Sequence, residues 1–234
     1  MKFLANQNIK IDNYYQYIPA ILIFIVGLIL SFFRWASQDE VCYLKDTMII
    51  SEFLKMGQWF GNEDIGGHGF ITKFLVALLY IITGPNIWVA TFFNVILASI
   101  TAFIMHKVFY HFTKNDLYSM LAVVLSVFSY YYISVLPTFL RDIPVMFSLF
   151  LFIYALIKEK PYWLLGLLFL LVFDAKEYIA IILTPVILLW VPITEYFKNG
   201  LKLKLPAIVL WKLSLIFFPS ILWVYLMFWT PIVP

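Results

Sequence analysis

Long apolar runs separated by short polar segments dominate the chain. A helix needs about 20 mostly apolar residues to cross a hydrocarbon layer of ~30 Å. Seven runs, of 12 to 23 residues, are candidate spans: Tyr17 to Trp35, Asn86 to Met105, Leu117 to Leu136, Ile143 to Ile157, Tyr162 to Phe173, Tyr178 to Val191 and Pro206 to Phe228. The pattern predicts an all-α polytopic membrane protein with about seven transmembrane helices, in a single transmembrane domain covering residues 1–234.

The longest polar segment, Ala36 to Gly69, follows the first run and contains two adjacent carboxylates, Asp39 and Glu40. Its stretch from Val41 to Met56 separates charged from apolar positions at helical spacing. The charged side has Lys45, Glu52 and Lys55, and the apolar side has Ile49, Ile50, Phe53 and Leu54. This spacing predicts an amphipathic helix that lies on the membrane surface, within an outer loop over residues 36–85.

The segment Phe70 to Thr83 decides the topology. It is apolar apart from Lys73 and ends at Gly84-Pro85. Its 14 residues would reach only ~21 Å at 1.5 Å per residue, which is short for a crossing. We therefore expect this segment to lie on the surface or to re-enter the membrane from one side.

The charges support that interpretation, because lysine-rich short loops face the cytoplasm. Without a crossing at 70–83, nine lysines share one side: Lys2, Lys10, Lys107, Lys114, Lys158, Lys160, Lys198, Lys202 and Lys204. Nine of the 13 acids share the other: Asp39, Glu40, Asp46, Glu52, Glu63, Asp64, Asp142, Asp174 and Glu177. We expect a plasma or inner membrane protein with a cytoplasmic N-terminus and acidic loops outside. A crossing at 70–83 would turn seven of these lysines outward.

Composition narrows the class of protein. The chain is 64% hydrophobic and only 12% charged, whereas soluble domains carry about 25% charged residues. This balance excludes a soluble nucleic-acid-binding protein. The single cysteine, Cys42, excludes an intrachain disulfide.

The ordered polar motifs resemble those of GT-C superfamily membrane glycosyltransferases, which include protein O-mannosyltransferases and aminoarabinose transferases. A mannosyltransferase loop typically reads His-Pro-Pro-Leu-Gly-Lys-Leu-Leu. Residues 68–75 read His-Gly-Phe-Ile-Thr-Lys-Phe-Leu, which keeps the His-to-Lys spacing without either proline. Residues 141–144 and 175–177 resemble elements at the ends of later spans in that superfamily. The chain is similar to an N-terminal seven-span module.

The resemblance implies inverting transfer of a sugar from a polyprenyl-phosphate donor to a hydroxyl of a protein, lipid or glycan acceptor on the outer face. The expected catalytic residues are Asp39, as the general base, and Glu40, because a carboxylate can take the proton of the attacking hydroxyl. Arg141 is the leading phosphate-binding candidate, since a guanidinium grips phosphate bidentately. Further substrate-binding candidates are His68, Lys73, Asp142, Lys176 and Glu177. An apolar groove would hold the prenyl chain.

The resemblance implies a lipid-linked sugar donor and specifies no other cofactor with certainty. Asp174 and Glu177 lie one turn apart, so they offer an alternative divalent-cation site.

Simpler interpretations stand beside each assignment. Asp39 and Glu40 are also suited to stabilising a helix N-terminus. His68 is also explained by solvent exposure, and Lys73 by snorkelling to the interface. Arg141 and Asp142 would also suit a local ion pair.

Two other functions remain open. One is a non-catalytic GT-C-like scaffold that works with another membrane subunit. The other is a small transporter or lipid flippase, a class that tends to place charges within spans and to show internal repeats. The chain shows no clear repeat, and almost every charge lies at a span end or in a loop. Lys212, a turn or two inside the last span, is the modest exception, so the pattern counts against a transporter.

Overall fold

The computed structural model describes residues 14–33, 37–58, 69–199 and 205–229. These residues form ten α-helices and the turns between them. The helices are α1 (Ile18–Ser31), α2 (Gln38–Lys55), α3 (Phe70–Thr83), α4 (Ile87–Thr113), α5 (Asp116–Val127), α6 (Tyr130–Val135), α7 (Asp142–Ile157), α8 (Tyr162–Ala175), α9 (Glu177–Asn199) and α10 (Leu205–Trp229). The predicted all-helical class is confirmed for the described part of the chain.

Three helices are long and apolar enough to cross a membrane. They are α4, the Glu177–Lys198 part of α9 and the Pro206–Tyr225 part of α10. Five other apolar helices, α1, α3, α5, α7 and α8, have between 12 and 16 residues. These lengths and compositions support a lipid bilayer environment, and seven crossings stay a prediction.

The run expected to be one span from Leu117 to Leu136 is divided into two helices. Helix α5 ends at Val127, and α6 begins at Tyr130. Ser129 has an extended backbone, and its hydroxyl accepts a hydrogen bond from the Tyr132 backbone N–H at 3.4 Å. A serine in this conformation caps a new helix, which explains the break.

The helix bundle has two ends, which the contacts between α1 and α4 distinguish. At one end, Phe32 after α1 packs against Trp88 at the start of α4. At the other, Gln16 before α1 accepts a hydrogen bond from Lys107, late in α4. Helices α1 and α4 are therefore antiparallel. We call the first end the acidic end, and it also contains residues 138–142 and 174–177. The opposite end, which also contains residues 158–162 and Lys198, is the lysine end.

Helix α3 begins and ends at the acidic end. Its start is tied to Asp174, whose backbone oxygen accepts from Gly69 N–H at 2.8 Å. Its last turn, at Thr83, lines an apolar groove together with Phe32 and Trp88. Both ends of α3 therefore lie at the acidic end, and the surface or re-entrant placement of residues 70–83 stays a prediction.

A glycine allows the close approach of α8 to α10. Pro219 lies inside α10 and has no N–H, so the Leu215 carbonyl lacks its usual helical donor. Gly166 of α8 lies against that carbonyl, and a Cβ at residue 166 would overlap the carbonyl oxygen. The surrounding contact is apolar, with Leu165, Phe169 and Ile216 buried in one cluster.

Replacing this glycine tests the contact. We expect Gly166→Ala to lower the free energy of unfolding by about 1–3 kcal/mol, because overpacking forces the two helices apart. Thermal unfolding of the detergent-purified protein measures the effect. Leu167→Ala is the control, since Leu167 is an exposed neighbour on the same helix. A Gly166→Ala variant that melts at or above the wild-type temperature, as helix propensity alone would give, would contradict this packing.

Candidate functional site

A cavity of roughly 300 Å³ lies at the acidic end, where α2, α3 and the start of α7 meet. It is lined by Asp39, Cys42, Tyr43, Asp46, Lys73, Leu140, Arg141 and Asp142. Four residues selected from the sequence are therefore brought together: Asp39, Lys73, Arg141 and Asp142. They are separated by up to about a hundred positions in the chain, so tertiary packing creates the site.

The two carboxylates in the first turn of α2, Asp39 and Glu40, point in different directions. Ser37 caps the helix, and its hydroxyl accepts a hydrogen bond from Glu40 N–H at 3.1 Å. Successive helical residues are rotated by about 100°, because a turn contains 3.6 residues. Asp39 is exposed and lines the cavity, while Glu40 is fully buried. Both lie in the first turn, so the capping interpretation is compatible with a further role for Asp39.

Glu40 holds the loop that precedes α7. Its Oε1 atom accepts a hydrogen bond from the Phe139 backbone N–H at 2.7 Å. Buried Asn94 of α4 donates to the neighbouring Thr138 carbonyl at 2.6 Å. These two contacts fix the backbone just before Arg141. Glu40 lies outside the set of cavity-lining residues, and its contact with the Phe139 N–H positions the backbone before Arg141, so a catalytic role for Glu40 stays a prediction.

Two ion pairs neutralise most of the charge around the cavity. Lys73 Nζ is 2.7 Å from Asp46 Oδ2, and Lys176 Nζ is 2.6 Å from Asp142 Oδ1. Lys73 is only 1% exposed, and its ammonium lies 4.8 Å from the centre of the Tyr43 ring. Lys73 therefore points inward, and snorkelling to the interface does not explain it. The Asp142–Lys176 pair joins the start of α7 to the α8–α9 junction.

Asp39 and Arg141 are the two remaining charged groups of the cavity. Within the described residues, the structure gives neither side chain an ion pair or a hydrogen bond. Arg141 is partly exposed and Asp39 is exposed, so both are accessible to a ligand. The site thus offers one carboxylate and one guanidinium that are not neutralised by each other or by the two adjoining ion pairs.

Tyr43 adds a neutral hydrogen-bond donor to the wall. Burial raises the pKa of its phenol to about 12, and Arg141 opposes this shift while Asp142, Asp174 and Asp46 add to it. The phenol therefore keeps its proton at neutral pH. It can donate a hydrogen bond to an anionic or carbonyl oxygen in the cavity.

Other predicted residues lie elsewhere. Asp174 Oδ2 accepts from the Ile71 N–H at 2.9 Å, so this carboxylate anchors α3. Lys176 reaches the site only through Asp142, and half-buried Glu177 lies outside the cavity lining. His68 lies outside the described residues. Among the residues that the structure describes, no group of three potential metal ligands occurs.

The sequence analysis did not select four of the lining residues, Cys42, Tyr43, Asp46 and Leu140, and two of these, Tyr43 and Asp46, contribute oxygen atoms to the wall. The signal was present in the spacing of Asp39, Tyr43 and Asp46, which are four and then three positions apart. Residues at this spacing share one face of a helix. The separation of charged and apolar positions along 41–56 is more evident and indicates the other faces of α2.

Comparison of the chain with protein-family models, curated proteins and solved structures gave no match. The resemblance to GT-C enzymes therefore rests on the residues themselves.

The mannosyltransferase pattern has proline at the position of Gly69, and the backbone conformation at Gly69 is one that proline does not adopt. This residue has φ of +68°, and a Cβ there would lie 3.3 Å from the Tyr43 ring. Proline is locked near φ −65° and is incompatible with this turn. The entry to α3 is thus built differently from a loop that has proline at the corresponding position.

The Glu40 contact gives a stability prediction. We expect Glu40→Ala to lower the free energy of unfolding by about 1–3 kcal/mol, because the buried Phe139 N–H loses its acceptor. Glu52→Ala, on the exposed face of the same helix, is the matched control. Thermal unfolding in detergent compares them. Equal melting temperatures for the two variants would show that Glu40 does not hold the loop.

Proposed function

We propose that this chain is a GT-C-like membrane glycosyltransferase that moves a sugar from a polyprenyl-phosphate donor to an acceptor hydroxyl, with inversion. The supporting observation is the shared cavity of Asp39 and Arg141, in which a carboxylate and a guanidinium both remain available. This transfer needs a group that accepts a proton and a group that binds an anion, which the carboxylate and the guanidinium respectively supply.

The proposed reaction is a single displacement. The acceptor oxygen attacks the anomeric carbon while its proton passes to the Asp39 carboxylate. The bond from the anomeric carbon to the phosphate oxygen breaks, and polyprenyl phosphate leaves with that electron pair. Attack from the face opposite the leaving group inverts the configuration. General-base assistance of this kind contributes roughly 10²–10⁴ to the rate.

Arg141 has the complementary task. The leaving phosphate gains negative charge in the transition state, so a fixed cation stabilises that state more than the ground state. Glu40 and Asn94 hold the backbone before Arg141, which limits the reorganisation needed during the reaction. The Tyr43 phenol is placed to donate a further hydrogen bond to an oxygen of the donor.

An apolar groove of roughly 350 Å³ between α8, α9 and α10 is our candidate for the prenyl chain. Phe173 and Val224 line it, and they adjoin Asp174 and Trp223 in the sequence. Trp223 in turn packs against Phe70 at the start of α3, with ring centroids 5.4 Å apart. Part of the groove lining therefore lies near the elements that carry the polar site.

The proposal includes a topology. Seven crossings would be made by α1, α4, the α5–α6 pair, α7, α8, α9 and α10, with α2 and α3 remaining at the outer surface. The lysine end then faces the cytoplasm, in accord with the positive-inside rule. This arrangement places Asp39 and Arg141 on the outer side.

Substitution of Asp39 tests the function. Purified protein would be reconstituted into liposomes with a radiolabelled polyprenyl-phosphate mannose and a host membrane extract that supplies acceptors. We expect Asp39→Asn to lower kcat by about 10²–10⁴ with little change in donor KM, because only the general base is removed. Arg141→Gln should raise donor KM and also lower kcat, since it loses both phosphate binding and charge stabilisation.

Glu52→Gln, which changes an exposed carboxylate outside the cavity, should keep wild-type turnover. Wild-type turnover by Asp39→Asn would remove Asp39 as the base. Tight donor binding without transfer by the wild-type protein would instead favour the non-catalytic scaffold.

A further inference from the structure

A second polar cavity, of roughly 170 Å³, lies at the lysine end between α8, α9 and α10. Its charged lining consists of Lys160, Lys198, Lys212, Glu159 and Glu195. It is separated from the Asp39 cavity by the length of the bundle and shares no lining residue with it. The glycosyltransferase proposal gives it no task.

The inner wall of this cavity is a neutral polar cluster. Glu195 is only 1% exposed, and its Oε1 atom lies 2.5 Å from Lys212 Nζ and 3.0 Å from the Tyr162 hydroxyl. The ammonium of Lys212 also lies 4.8 Å from the centre of the Tyr162 ring. The charge of Lys212 within a span is therefore compensated by Glu195. This cluster fixes three helices around the cavity and contributes no net charge.

The outer wall has one excess positive charge. Lys198 pairs with Glu159 at 2.6 Å, but both side chains are about half exposed. Such exposed pairs contribute only about 0–1 kcal/mol, so Lys198 can turn to another anion at little cost. Within the described part of the chain, the exposed ammonium of Lys160 has no ion pair or hydrogen bond. Lys160 and Lys198 thus present two donors at the mouth of a preformed cavity.

The position of the cavity identifies the ligand chemistry. Trp190 also lines it, and tryptophan is enriched where membrane helices meet the headgroup layer. Basic pockets between membrane helices on the cytoplasmic side bind the phosphates of lipid headgroups. We propose that this cavity binds a phosphate group through Lys160 and Lys198, either on an anionic phospholipid or as a free phosphate. The inference rests on the proposed topology, in which the lysine end is cytoplasmic, and does not depend on the proposed transferase activity.

Ligand-dependent thermal unfolding in detergent tests the site. The probes are phosphatidylglycerol, phosphatidylcholine and inorganic phosphate, each at constant ionic strength. Phosphatidylglycerol should raise the melting temperature of the wild-type protein more than phosphatidylcholine does. The Lys160→Gln, Lys198→Gln double variant should bind it about 25-fold more weakly, from roughly fivefold for each lysine near the headgroups.

Lys158→Gln is the matched control. Lys158 is exposed in the same turn but lies beside the Tyr154 ring and outside the cavity lining, so its loss should change affinity little. The single Lys160→Gln variant, which breaks no side-chain contact of the described residues, guards against misfolding of the double variant and should bind about fivefold more weakly.

The arms of the experiment distinguish the phosphate sources. Stabilisation by phosphatidylglycerol alone supports a lipid headgroup, and stabilisation by inorganic phosphate as well supports recognition of the phosphate itself. The proposal fails if phosphatidylcholine stabilises the protein as much as phosphatidylglycerol does, or if neither phosphatidylglycerol nor inorganic phosphate stabilises it. It fails likewise if the Lys160 variants keep wild-type affinity. It also fails if Lys158→Gln weakens binding as much as Lys160→Gln, which would indicate only diffuse surface charge.

Discussion

The hydrogen bonds between Asp174 and the start of α3 determine the arrangement of the acidic end. The first N–H groups of a helix have no acceptor within that helix. Here the carbonyl and the carboxylate of Asp174 accept from Gly69 and Ile71. This contact fixes one end of α3 beside α8, while its last turn reaches the start of α4. A short apolar helix is thereby held at one end of the bundle.

This position of α3 explains why a lysine can be buried beside the site. An isolated ammonium in an apolar interior is strongly unfavourable unless it is paired and hydrogen-bonded. Lys73 has Asp46 as its partner and the Tyr43 ring nearby, and both come from α2. Pairing leaves Asp39 and Arg141 as the accessible charges, so the same contacts that stabilise α3 also select the two groups proposed to act on substrate.

The sequence predicted the helical class, the membrane environment and the four cavity residues, because hydrophobic runs and polar motifs at their ends are local features. It did not separate the roles of Asp39 and Glu40. Neighbouring residues on a helix face different directions, and the direction that is buried depends on where Phe139 lies.

The Lys212–Glu195 pair could not be predicted for a similar reason, because the order of spans along the sequence does not show that α9 and α10 are in contact. The break at Ser129 could not be predicted because the run from Leu117 to Leu136 is continuously hydrophobic. A serine within such a run indicates a helix boundary only when the conformation of the backbone around it is known.

Cysteine accessibility tests most directly whether α3 stays on the outer side. Cys42 is the single cysteine of the chain and lines the Asp39 cavity. A membrane-impermeant maleimide would be applied to intact cells expressing the wild-type chain, or the Cys42→Ser, Lys160→Cys variant. Three crossings separate residues 42 and 160 if α3 does not cross, and four separate them if it does. We predict that Cys42 is labelled in intact cells and that the cysteine at 160 is labelled only after permeabilisation. Labelling of both positions from the same side would contradict the account.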